Sequence, residues 1–156
     1  MNTTTSVQII PFNVELREYI KILNVEWLQK YFRIEDRDEI VLSNPEDEII
    51  AKGGFIFYAQ YNDQIVGTVS LLKVSEWVYE VSKMAVTQGV QGLGIGKLLL
   101  EHCFAVAKEK EASSLILYSN RSLTSAIHLY HKYGFAEIPL ESAIYERADI
   151  KMEKVL

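Results

Sequence analysis

Between residues 80 and 98 a β-branched run, Glu80-Val-Ser-Lys-Met-Ala-Val86, is followed by three alternate glycines, Gly92, Gly94 and Gly96. A leucine-rich helical pattern starts immediately behind them. This order reads as a strand, a tight loop and a helix N-terminus. The first turn of a helix has unpaired backbone N–H groups and the positive end of the helix dipole, so it attracts anions. Glycine lets that backbone approach a bulky phosphate without a Cβ in the way. The chemistry these residues could support is the cradling of a pyrophosphate.

Spacing narrows the choice of ligand. A Walker A loop would need a glycine at position 91 and a hydroxyl at 98, and the chain has Gln91 and Leu98. A dinucleotide fingerprint needs Gly-x-Gly-x-x-Gly after an early strand, with an acid about twenty residues on to hold the ribose. Here the spacing is Gly-x-Gly-x-Gly, the strand before it is the fourth, and Leu115–Ser119 carries no acid at its end.

The elements that must position this loop can be read from periodicity. Val7–Pro11 is the first expected strand. Leu16, Ile20, Leu23, Trp27 and Tyr31 recur at helical spacing through Asn13–Phe32, and a second short helix near Glu35–Leu42 should end before Asn44-Pro45. Phe55–Tyr61 and Gln64–Val74 flank Asn62-Asp63 as a β-hairpin. Then come a strand at Trp77–Val86, a helix at Gly94–Lys110, a buried strand at Leu115–Ser119 and a helix at Thr124–Tyr133. Gly134 is the expected left-handed cap of that helix, with Phe135 making the apolar contact behind it. Strands at Phe135–Ile138 and Tyr145–Glu153 close the order β-α-α-β-β-β-α-β-α-β-β, which implies a mixed sheet with helices packed on it.

The 156 residues are expected to form one domain, residues 1–156, large enough for its own core. A net charge of −5 without a lysine or arginine block argues against a nucleic-acid partner. Glu35, Asp36, Asp38, Glu39, Glu46, Asp47 and Glu48 crowd into fourteen residues. They read either as a solvated surface or as a field that attracts a cationic substrate. The single cysteine, Cys103, excludes an internal disulfide and a multi-cysteine zinc site, and its place beside Leu99 and Val106 reads as a buried thiol. His102, His128 and His131 form no metal constellation and read as helix-surface residues. No run approaches the ~18 apolar residues of a membrane span, and the N-terminus lacks a basic region followed by an apolar stretch. The expectation is a cytoplasmic protein with no membrane partner.

Gln91-x-x-Gly94-x-Gly96 resembles the acyl-CoA pyrophosphate loop of the GNAT N-acetyltransferase superfamily, whose pattern is Gln/Arg-x-x-Gly-x-Gly/Ala. The resemblance extends over residues 77–136 and includes Ala126-x-x-x-Tyr130-x-x-x-Gly134-Phe135, which matches the family pattern in full. It implies a GNAT-like α/β fold: a central mixed six- to seven-stranded sheet, helices on both faces and a split between strands 4 and 5. The implied activity is acetyl transfer from acetyl-CoA to a primary amine, by direct attack in a ternary complex and with no metal. The acidic run would favour a small cationic acceptor. A protein lysine or N-terminal amine acceptor, and a non-catalytic CoA-binding sensor, are the alternatives. An edge strand near the C-terminus could pair two copies into a homodimer.

The resemblance also suggests roles for individual residues. Glu80 falls where several GNAT enzymes carry a catalytic glutamate; from residue type alone it reads first as an exposed or structural acid. Tyr130 would protonate the departing thiolate, against a purely packing role shared with Ile127 and Gly134. Backbone groups of Met84, Ala85 and Val86 would pair with the pantetheine arm and polarise the thioester carbonyl. Gln91, Gly92, Leu93, Gly94, Ile95, Gly96 and Lys97 would hold the pyrophosphate, Lys97 being equally readable as a solvated lysine. Asn120 would hydrogen-bond the cofactor or simply shape its loop. Trp27, Tyr31 and Tyr145, the last with Glu146 and Arg147, are candidates for the acceptor-site wall.

Overall fold

The computed structural model describes residues 6–156 apart from Gln91 and Ile144. Strand β1 (Gln8–Pro11) leads through a 3-10 turn at Val14–Leu16 into α1 (Glu18–Tyr31) and α2 (Asp36–Ser43). A π-helical turn, Glu46–Ile50, follows Pro45, and no periodicity announces it. Strands β2 (Phe55–Tyr61), β3 (Gln64–Lys73) and β4 (Val78–Val86) precede α3 (Ile95–Glu109) and β5 (Ser114–Ser119). Helix α4 (Thr124–Lys132), β6 (Ala136–Ile138) and β7 (Ile150–Val155) complete the chain. Among the described residues the seven strands form one sheet in the order β1-β2-β3-β4-β5-β7-β6.

The β2–β3 hairpin closes through Asn62 and Asp63, both at positive φ (52° and 61°), the backbone of a two-residue turn that follows strand twist. Period-two alternation then divides the sheet faces. Phe57, Val69, Leu71, Val81 and Leu115 pack with Leu99, Leu100 and Cys103 of α3. Ile56 and Tyr58 point the other way, onto Ile20 and Leu28 of α1 and Val41 and Leu42 of α2. Cys103 is fully buried, and burial pushes its thiol up to about 12, so it is a packing residue.

Two expected elements are corrected. The final strand begins at Ile150 and not at Tyr145, because residues 145–149 form a strap held by long-range contacts. The first helix begins only at Glu18, after a separate turn capped by Asn13. Gly134 takes the expected left-handed φ of 94°, and the N–H of Phe135 reaches back to the carbonyl of Tyr130 at 2.9 Å.

One feature of the sheet makes room for a site. β4 and β5 run parallel but pair only at Val78–Ser114, Tyr79–Leu115 and Glu80–Ile116. Beyond Glu80 they diverge, leaving the inner edge of β4 without a strand partner on that side. β5 meanwhile stays paired to β7 as far as Ser119.

Candidate active site

A cavity of about 440 Å³ opens in this split, between the C-terminal halves of β4 and β5. None of the described loop residues Gly92–Lys97 lines it. Gly92 and Gly94 both have left-handed backbones, with φ of 87° and 70°, and Gly94 is the N-cap of α3. Gly96 is different: it lies in the first helical turn without a positive φ, and a Cβ there would meet nothing within 4 Å. Neither packing nor backbone conformation requires glycine at 96, yet glycine weakens a helix relative to alanine. Open space above a helix N-terminus is what a phosphate-bearing ligand would fill, so the loop fits such a group. Leu93 and Lys97 are exposed and Ile95 is buried under the helix. Gln91 lies outside the described residues.

The distorted part of β4 lines the cavity. The β3 register passes from Thr68–Ala85 to Ser70–Ser82, so Lys83 and Met84 together face one residue of β3. Lys83 sits at φ 54°, a left-handed backbone at the bulge. α1 fastens this bulge in place: Asn24 Nδ2 donates to the carbonyl of Lys83 at 3.2 Å and to that of Ile20 at 2.8 Å. Two residues along, Glu26 accepts from the Thr87 hydroxyl at 2.8 Å. The backbone of Met84 is therefore presented on the open edge of β4. Ala85 is buried and Val86 half-buried where the strand leads towards the loop.

Glu80 and Tyr130 both line the cavity. Burial lifts the Glu80 carboxyl to about 7, against the opposing pull of the Lys83 ammonium and a hydrogen bond from Ser82. A carboxyl so placed can take up and give back a proton near neutrality. Tyr130 packs edge-on against Phe135 with ring centroids 5.9 Å apart, and burial raises its phenol to about 12. Asn120 clamps the strap: its Nδ2 donates to the carbonyl of Arg147 at 2.7 Å, and its Oδ1 accepts from Ser122 N–H at 2.9 Å. A second Nδ2 hydrogen remains for a ligand.

Part of the lining is an aromatic wall. Trp27 stands 5.3 Å from the ring of Tyr31 and 5.7 Å from that of Phe32. The lining also holds an ionic network that sequence reasoning missed. Asp38, fully buried, accepts from Lys83 Nζ at 2.7 Å and from both terminal nitrogens of Arg147, at 2.8 and 2.7 Å. Lys83 also donates to the Tyr145 hydroxyl at 2.9 Å, and the Arg147 guanidinium lies 4.3 Å from the Tyr145 ring centroid. Burial pushes the Asp38 carboxyl upward, but hydrogen bonds from Arg147 and Lys83 outweigh it and hold the group at about 2. Burial lowers Lys83 and raises Tyr145.

This network changes the reading of the acidic run. Glu35 pairs with Arg147, Asp38 with Lys83 and Arg147, Glu39 with Lys21, Glu46 with Arg17, and Glu48 with Arg37 and Lys52. Five of the seven carboxylates are thus neutralised within the chain, and the run loses its force as an attractive field. The only local signal for Asp38 was its place three residues after Glu35 at a helix start, where it accepts from the Glu35 N–H at 2.8 Å.

Comparison with known proteins places this architecture. The model of the GNAT acetyltransferase family matches residues 17–135. The chain belongs to the GNAT acetyltransferase family. A GNAT acetyltransferase from Staphylococcus aureus superposes with a TM-score of 0.85 at 25% identity, over 96% of this chain and 99% of that one. The PaiA N-acetyltransferase of Thermoplasma acidophilum, solved in complex with coenzyme A, shares the fold, with a TM-score of 0.75 at 19% identity over 97% and 99% of the two chains. The streptothricin acetyltransferase of Streptomyces lavendulae is 36% identical over 66 residues, 42% of this chain. That match spans 35% of the relative's length. The seven-stranded mixed sheet and its split between β4 and β5 are those of the GNAT fold. No helix among the described residues of this GNAT protein is long and apolar enough to cross a membrane.

Proposed function

We propose that this protein transfers an acetyl group from acetyl-CoA to a primary amine by direct attack in a ternary complex. The observation that carries the proposal is the split at Glu80: the open edge of β4, a left-handed bulge and a carboxyl near neutrality meet in one cavity. The coenzyme A complex of the Thermoplasma relative supports the choice of donor.

In this reading the first-turn N–H groups of α3, with Gly92, Gly94 and Gly96, hold the pyrophosphate. The free backbone groups of Met84, Ala85 and Val86 hold the pantetheine arm as if it were a strand. A backbone N–H at the bulge donates to the thioester carbonyl as negative charge develops there. An ammonium has no lone pair, so Glu80 first accepts its proton, directly or through water. The amine nitrogen then bonds to the carbonyl carbon as the carbon–sulfur bond breaks, and the nitrogen gives its surplus proton to water as the amide forms. Tyr130, kept protonated by burial, gives its proton to the leaving sulfur. A phenol near 12 donates to a thiolate whose acid is near 8.5 only with proximity to help, and the cavity supplies that proximity.

Thiol release from acetyl-CoA, measured over amines and lysine peptides, tests the proposal. Release that depends on the amine and yields its N-acetyl product is expected. Tight acetyl-CoA binding with no transfer to any amine would replace the enzyme reading with that of a CoA-binding sensor.

A further inference from the structure

Four formally charged side chains line the cavity among the described residues: Asp38, Glu80, Lys83 and Arg147. Three of them are committed to one another. Lys83 and both terminal nitrogens of Arg147 converge on Asp38, and Arg147 also reaches Glu35 at 3.1 Å. Two cations thus face two carboxylates, with side-chain exposures of 0% for Asp38, 4% for Lys83, 9% for Glu35 and 17% for Arg147. Turning any one of them to a ligand would leave its partner buried and uncompensated. Two further pairs join Arg33 to Glu146 and Arg37 to Glu48. Glu80 is the one charged group of the cavity that makes no salt bridge to this network, although the Lys83 ammonium acts on it through space. Trp27 with Tyr31 and Phe32 forms an aromatic part of the lining, to which Leu28 and Met84 add apolar surface.

We infer that the acceptor is a monoamine carried on a flat or apolar body, selected by the Trp27–Tyr31–Phe32 wall. The inference rests on the acetyl-transfer reading and deepens it. One ammonium is matched by Glu80. The second ammonium of a polyamine or aminoglycoside would find no free carboxylate, and ring faces repay little of the hydration it loses. The carboxylate of an amino acid would find Lys83 and Arg147 already paired. An apolar body, by contrast, gains by leaving water for the rings.

Replacing Trp77, half-exposed and outside the cavity, by phenylalanine leaves Trp27 as the sole indole. In this Trp77→Phe protein Trp27 emission reports binding independently of turnover. With coenzyme A present, phenylethylamine is expected to change that emission saturably and spermidine is not. With acetyl-CoA, kcat/KM for phenylethylamine should exceed that for spermidine, lysine and kanamycin by about thirtyfold, which corresponds to two or so favourable ring contacts. In the otherwise natural chain, Trp27→Ala should raise KM for phenylethylamine about tenfold and shift that for spermidine by less than about twofold, collapsing the preference. Equal or better use of spermidine or kanamycin would overturn the inference, as would a Trp27→Ala protein with its preference intact. If no amine is acetylated, the transfer reading fails, and an emission unchanged by phenylethylamine then removes the acceptor wall as well.

Discussion

In the glycine loop, Gly92, Gly94 and Gly96 fall within five residues of chain and offer backbone N–H groups. In the lining of the cavity, Lys83 meets Asp38 across 45 residues and Tyr145 across 62, and Asp38 meets Arg147 across 109; what they offer is side chains. The loop's geometry comes from local backbone freedom, so substitutions there should alter ligand affinity without unfolding the domain. The network's geometry comes from the whole fold, so substitutions there should register first as lost stability.

The sharpest way to break this contrast is Asp38→Asn. It leaves Lys83 and Arg147 facing each other without a full counter-charge, and removing one partner of a buried ion pair costs about 3–5 kcal/mol. A lower urea midpoint at unchanged m-value would register this. The Asp38 carboxyl is held at about 2, below its ordinary 3.8, so its stabilisation is present above pH 4 and lost as pH falls through 2. The natural protein should therefore lose stability over that window, and Asp38→Asn should show a correspondingly flatter acid limb. A midpoint unchanged by Asp38→Asn would mean the network is not structural.

Tyr130→Phe is next. It keeps the packing against Phe135 and removes the proton, so kcat should fall roughly ten- to a thousandfold, within or just below the range for one acid–base group. Steady-state kinetics at saturating acetyl-CoA measure it, and an unchanged kcat would return Tyr130 to a packing role.

Glu80→Gln separates chemistry from stability. The natural protein's acid limb should turn near pH 7, where this carboxyl titrates. The variant should lose about a hundredfold there, narrowing at high pH where the amine deprotonates unaided. Stability should move the other way. A folded-state value of about 7 against an ordinary 4.5 favours the folded natural protein fully below pH 4.5, an advantage lost as pH rises through 7. Above pH 7 the variant should therefore be the more stable, on the order of 2–3 kcal/mol, as thermal melts across pH would record. A pH–rate profile parallel to that of the natural enzyme would remove Glu80 as the base.

Gly96→Ala is the mildest and bears directly on the loop. Alanine there should stabilise the helix by about 0.5–1 kcal/mol. The new methyl group would occupy the open space above the first turn, and KM for acetyl-CoA should rise several-fold. A variant that is both more stable and unchanged in KM would show that the pyrophosphate lies elsewhere.

How much of this was legible beforehand followed the same division. Strand and helix boundaries at Phe55–Tyr61, Gln64–Lys73 and Ile95–Glu109 lay within a residue or so of their expected positions, because alternation, the Asn62-Asp63 turn and the Gly94 cap are all local signals. The π-turn after Pro45 and the strap at 145–149 were illegible because long-range contacts stabilise them. Trp27 and Tyr31 were expected at the acceptor wall, and both line the cavity beside the α1 seam of Ile20, Leu23, Asn24 and Leu28. Lys83 was read only as one residue of a β-branched run, and Asp38 only as one of seven carboxylates.

By itself the sequence determined the order of elements, the glycine loop with its helix N-terminus, and the family pattern that ends at Gly134-Phe135. Each depends on residues within a few turns of one another, where backbone propensity and side-chain period act directly. The tertiary structure alone decided which charges are free. Coulombic and hydrogen-bond partners are set by distance in space, so only the fold could show Asp38 consumed by Lys83 and Arg147 and Glu80 left without a salt bridge to that network.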